Sequence, residues 1–107
     1  MGIKLKNNAV SVIPASITDS QTSFDIYTGT GSLFPTLGVG DYFYATISSV
    51  ANAYEVVKVT ARSGDTFTVE RGAEDTVALS FPEASRIELR VTARNIIDLL
   101  DEDFLLL

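Results

Sequence analysis

The chain has 107 residues, 46% of them hydrophobic and 21% charged, with no Cys and no His. That length fits one domain, residues 1–107, able to bury roughly two-thirds of the surface its unfolded chain exposes. Without Cys and His there are no thiol nucleophiles, disulfides or Cys/His zinc sites, and the side chain most used for proton transfer near neutral pH is missing.

The net charge is −6, which argues against a nucleic-acid partner. The charge is uneven. Residues 1–62 carry four basic and four acidic side chains, whereas residues 63–107 carry four basic and ten acidic ones. An electrostatic partner is expected to meet the C-terminal half. No apolar run approaches the ~20 residues of a membrane helix. The first eight residues are polar and basic, with no signal-peptide core, so neither a membrane partner nor export is expected.

Residues 1–8 read as an N-terminal arm carrying Lys4 and Lys6. Ala9 to Ile13 reads as a short strand ended by Pro14. Asp19-Ser20 marks a turn. Ser23 to Tyr27 alternates with period two, placing Phe24 and Ile26 on one face, Asp25 and Tyr27 on the other. Thr28 to Ser32 is a loop, Leu33-Phe34-Pro35 a tight turn plugging the core, and Gly38 to Asp41 a second turn.

Tyr42 to Ser48 is a strand by its aromatic and β-branched content. After a connection, Tyr54 to Arg62 is a second long strand. Tyr54, Val56 and Lys58 lie on one of its faces and Glu55, Val57 and Val59 on the other. Ser63-Gly64-Asp65 makes a hairpin into a returning strand, Thr66 to Glu70. Arg71 to Asp75 is an irregular excursion, and Val77 to Leu79 a short strand broken by Phe81-Pro82. Arg86 to Val91 alternates cleanly, with Ile87, Leu89 and Val91 facing the core.

The period then changes. Thr92 can cap a helix, and Ala93, Ile96, Ile97 and Leu100 follow helical spacing that Phe104 extends. One helix is expected over about residues 92–101. The fold class is therefore mainly β: a small antiparallel β-sandwich or barrel with a short C-terminal helix.

Few side chains suggest chemistry. Asp41, after Gly38-Val39-Gly40, reads either as a cation ligand or base or, more commonly, as a turn residue. Gly29-Thr30-Gly31 and Gly38-Val39-Gly40 lack the following helix and Lys of a phosphate loop. Asp65, Glu70, Glu74 and Asp75 read as a solvated acidic rim or, alternatively, as a glycosidase-like carboxylate pair. Tyr42, Phe43, Tyr44 and Tyr54 form either a stacking platform for sugar or a set of core and paired strand aromatics. Ser48, Ser49, Ser80 and Ser85 have no His to activate them. No enzyme activity, cofactor or metal is expected.

The end of the chain is different. Phe104-Leu105-Leu106-Leu107 follows three acids, and burying four such side chains is worth on the order of 6–10 kcal/mol. Left in water, the segment would be an aggregation liability. It either folds back on its own sheet or docks on another subunit.

Several stretches resemble the small N-terminal β domain of tail fibres and related virion proteins of tailed bacteriophages. They are Gly2 to Ala9, Gly31 to Pro35, Gly40 to Thr46, Tyr54 to Gly72 and Arg86 to Ala93, and together they span roughly residues 1–97. The most specific is Glu-Val-Val-Lys-Val-Thr, Glu55 to Thr60, followed by a hairpin and a strand ending Arg71-Gly72. Residues 73–85 depart from the family pattern, with Glu74, Asp75 and Phe81-Pro82 where small residues are usual. Fibres also continue into a long shaft, whereas this sequence ends at Leu107.

The resemblance implies a virion structural protein, an oligomeric adaptor joining a tail fibre or other appendage to the tail or neck. The alternatives are a capsid decoration protein or a receptor- or glycan-binding module. The implied partners are other virion proteins and copies of the chain itself. The expected contact residues are Lys4 and Lys6 in the arm, and Ile96, Ile97, Leu100, Phe104, Leu105, Leu106 and Leu107 at the C-terminus.

Overall fold

Period-two alternation becomes a single curled sheet in the computed structural model, which describes residues 2–51, 53–90, 96–98 and 100. The strands are β1 (Gly2–Ile3), β2 (Val10–Ile13), β3 (Ser23–Asp25), β4 (Asp41–Ser48), β5 (Tyr54–Ser63), β6 (Thr66–Ala73) and β7 (Ser85–Glu88). A 3-10 turn, Gly31–Leu33, lies between β3 and β4. The sheet order is β2-β7-β4-β5-β6-β3, with every neighbour antiparallel. The short β1 is added in parallel to β4. Residues 96–98 and 100 are helical. The protein is thus mainly β, a half-barrel with a short helix near the C-terminus.

The curl has local causes. The β5–β6 ladder shifts register between Val56 and Lys58 and again between Val59 and Ala61. Each irregularity bends the strand and increases its twist. The two sheet edges then approach each other, and Tyr27 N–H, just past β3, donates to Val12 O of β2 at 2.9 Å.

The concave face holds the core. Phe24, Ile26, Phe43, Ala45, Ile47, Val57, Val59, Phe67, Val69 and Ile87 point inward and are buried. Phe34, from the turn after the 3-10 segment, plugs one end as expected. Its ring stacks on Phe43 at 5.8 Å and meets Phe67 edge-on at 5.1 Å between centroids. Such pairs add about 0.5–1.5 kcal/mol each beyond the area they bury.

Gly31 is required where this turn touches the β5–β6 hairpin. A Cβ there would lie 2.0 Å from the carbonyl oxygen of Gly64.

Three expectations need correction. β6 runs on through Ala73, because Val56 and Lys58 of β5 supply partners for Ala73 and Glu70. Residues 77–79 are irregular, because side chains occupy Leu79: its N–H donates to Glu55 and its carbonyl accepts from Arg71. β7 ends at Glu88, and one further bond in the same register, Leu89 N–H to Ala9 O at 3.0 Å, follows it. Val91 and most of the expected helix, residues 92–95, 99 and 101, lie outside the described residues.

Candidate interaction face

The convex side of β4 and β5 carries a second, smaller apolar cluster. Ile3, Tyr44 and Val56 are buried in it, and Tyr42 and Ala73 pack against them. Alternation is the reason: Phe43, Ala45 and Ile47 fill the core, so Tyr42 and Tyr44 emerge on the other side. The two tyrosine rings meet edge to face at 5.6 Å. Lys58 Nζ sits 4.5 Å from the centre of the Tyr42 ring, a cation–π contact worth ~0.5–1 kcal/mol at an exposed site.

Tyr42 bonds both the N-terminal arm and the C-terminal helix. Its carbonyl accepts from Lys4 N–H at 2.8 Å. Its hydroxyl donates to Asp98 Oδ2 of the C-terminal helix at 2.6 Å. The arm and the helix, whose Asp98 lies 56 residues from Tyr42 in sequence, are therefore anchored to one residue.

The expected contact residues fall as follows. Lys4 is exposed near Asp41, where its charge helps to lower the Asp41 pKa. Lys6 is exposed and donates from Nζ to Ser32 O at 2.6 Å, which fixes the arm to the 3-10 turn. Ile96, Ile97 and Leu100 are 52%, 46% and 54% exposed. Phe104, Leu105, Leu106 and Leu107 lie outside the described residues.

The chemical constellations resolve into structural roles. Asp41 closes its own turn: Oδ2 accepts from Gly38 N–H at 2.9 Å, which, more than any other contact, holds its carboxyl below the usual range. Asp65 accepts from Gly29 N–H at 3.0 Å and Gly31 N–H at 2.8 Å, and these bonds hold its pKa down too. The donors that a phosphate would need in the Gly29–Gly31 loop are thus taken by the protein's own carboxylate. Asp65 and Asp75 flank opposite ends of the eight-residue β6, while Glu70, Glu74 and Asp75 line one open surface pocket with Lys58 and Arg71. Among the described residues no three His, Cys, Asp or Glu side chains are grouped to hold a metal ion. Phe43 is a core residue, and Tyr54, 58% exposed, is not part of the Tyr42–Tyr44 cluster, so the aromatics form no common stacking platform.

The most connected polar centre is a buried ion pair between Glu55 and Arg71. Glu55 is fully buried, and its two oxygens accept from Arg71 Nε and Nη2 and from the N–H groups of Gly72 and Leu79, all at 2.8 Å. Arg71 also donates to the carbonyls of Thr18, Gln21 and Leu79. Burial alone would push the Glu55 carboxyl up, but Arg71 and the two N–H groups outweigh it and hold the pKa below its ordinary value. The pair binds the excursion after β6 and the loop before β3 to the barrel. The sequence placed Glu55 on one face with Val57 and Val59, and the structure shows that face to be the buried one. The identity of its partner was not.

No known family model matches the chain, and no curated protein is detectably similar to it in sequence.

Proposed function

We propose that this chain is a virion structural protein of a tailed bacteriophage, an oligomeric adaptor that anchors a tail fibre or another appendage to the tail or neck. Its partners are copies of itself and other virion proteins. The observation that carries this reading is the unsheltered apolar stripe Ile96, Ile97 and Leu100, on a helix fastened to the sheet at Asp98.

Covering those half-exposed side chains in a partner contributes about 1 kcal/mol each by area, multiplied around an oligomer. The family resemblance supports the same reading. Its segments fall on β1, the Phe34 plug, most of β4, the β5–β6 hairpin and most of β7, leaving out the two edge strands β2 and β3. The reading as a glycan-binding module is less well supported, because Tyr42 and Tyr44 face each other and the Tyr42 ring is covered by Lys58.

Light scattering of the full chain and of an Ile96→Asp/Ile97→Asp variant tests the proposal, together with mass spectrometry of purified virions. The full chain is expected to be oligomeric, the variant smaller, and the protein a stoichiometric virion component. A wild-type chain that stays monomeric and is missing from virions refutes it.

A further inference from the structure

An ordinary surface helix lays its apolar stripe on the core and turns its polar face to water. Among its described residues, the C-terminal helix is turned the other way. Ile96, Ile97 and Leu100 are each about half exposed, and none of them belongs to either apolar cluster. Asp98, between them in sequence, reaches the sheet at the Tyr42 hydroxyl, 2.6 Å away, and is less exposed than they are.

Helical geometry links these two facts. At roughly 100° of turn per residue, Leu100 lies about 40° from Ile96, Ile97 about 100° and Asp98 about 200°. Asp98 therefore stands across the helix from the middle of the stripe. A bond from Asp98 to the sheet points the stripe outward.

The post that carries this bond is itself held from several sides. The Tyr42 ring meets the Tyr44 ring edge to face at 5.6 Å and has Lys58 Nζ 4.5 Å from its centre. The Tyr42 carbonyl accepts from Lys4 N–H at 2.8 Å. The hydroxyl is thus presented from a fixed place on β4.

We propose that Tyr42 is the positioning residue of the docking stripe. Its hydroxyl holds Asp98 and so fixes the roll of the helix, with Ile96, Ile97 and Leu100 turned toward a neighbouring copy. The inference rests on the oligomeric reading above and names what orients the surface through which the copies join.

The test is the dissociation constant of the full-length chain and its variants, from light scattering over a dilution series. Tyr42→Phe removes the hydroxyl and keeps the ring that Tyr44 and Lys58 contact. Asp98→Ala removes the same bond from the helix side without touching the sheet. Each should weaken assembly roughly tenfold, the scale of one lost hydrogen bond to a charged group. The Tyr42→Phe/Asp98→Ala double variant should be no weaker than either single one, because both delete one interaction. Asp98→Asn keeps an acceptor oxygen for the hydroxyl and should retain most of the assembly. A bond that merely steadied the folded monomer would leave the dissociation constant unchanged. If the wild type assembles and Tyr42→Phe and Asp98→Ala assemble as tightly, or if Asp98→Asn fails alongside them, the positioning role is wrong while the adaptor reading stands. A monomeric wild-type chain overturns both.

Discussion

Replacing Glu55 by Gln tests whether the buried ion pair holds the barrel together. The carboxylate takes four donors on two oxygens: Oε1 serves Arg71 Nη2 and Leu79 N–H, and Oε2 serves Arg71 Nε and Gly72 N–H. Gln has one acceptor oxygen, so its amide NH₂ must face two of these donors. Arg71 cannot swing away to water, because its side chain is 7% exposed and three backbone carbonyls hold it. Two buried donors without an acceptor cost ~1–3 kcal/mol each, so Glu55→Gln should destabilise by about 3–4 kcal/mol. For a domain of this size that is a fall of roughly 15–20 °C in Tm, read by circular dichroism. Arg71→Met strands the buried carboxylate and should cost about 3–5 kcal/mol. The Glu55→Met/Arg71→Met double variant should cost clearly less than the sum of its single variants, because no uncompensated charge remains. A Glu55→Gln loss below about 1 kcal/mol, or strict additivity in the cycle, would refute the reasoning.

Gly31→Ala places a Cβ 2.0 Å from Gly64 O, and overpacking of this kind should cost about 1–3 kcal/mol. Gly29→Ala, whose Cβ meets nothing within 4 Å but whose φ is +85°, should cost only about 1–2 kcal/mol through backbone strain. Urea denaturation that ranks Gly29→Ala as the more damaging would contradict the close approach. Stability should also fall in acid. Glu55 and Asp65 have folded pKa values below their ordinary 4.5 and 3.8, so the folded chain binds fewer protons than the unfolded one. Their stabilisation is complete above those ordinary values and is lost as pH falls through the lower folded ones. Asp65→Asn should therefore give a shallower decline of Tm with acid than the wild type, measured as a pH series of melts; an unchanged slope would mean that the Gly29 and Gly31 bonds do not stabilise the carboxylate.

Much of the fold was legible because strands with one buried face advertise themselves by period two. Tyr42 to Ser48, Tyr54 to Arg62 and the Gly64-Asp65 hairpin were readable from side-chain type alone, and so was Phe34 as a plug. The apolar stripe of Ile96, Ile97 and Leu100 was equally plain, since helical spacing is local. The limits of β6 and the irregular path of residues 77–79 were not readable, because side chains distant in sequence decide them. Ala73 stays in the strand through Val56, and Leu79 is held by Glu55, 24 residues earlier.

Local composition by itself determined the long strands, which way their side chains alternate, and that Glu55 shares a face with Val57 and Val59. Only the tertiary structure decided that Arg71 answers that acid, that Asp65 closes the Gly29–Gly31 loop, and that the arm and the C-terminal helix converge on Tyr42. The physical reason is range. Alternation reflects each residue's own exposure to water, whereas a hydrogen bond or ion pair exists only once the curl of the sheet has brought two distant residues within about 3 Å of each other.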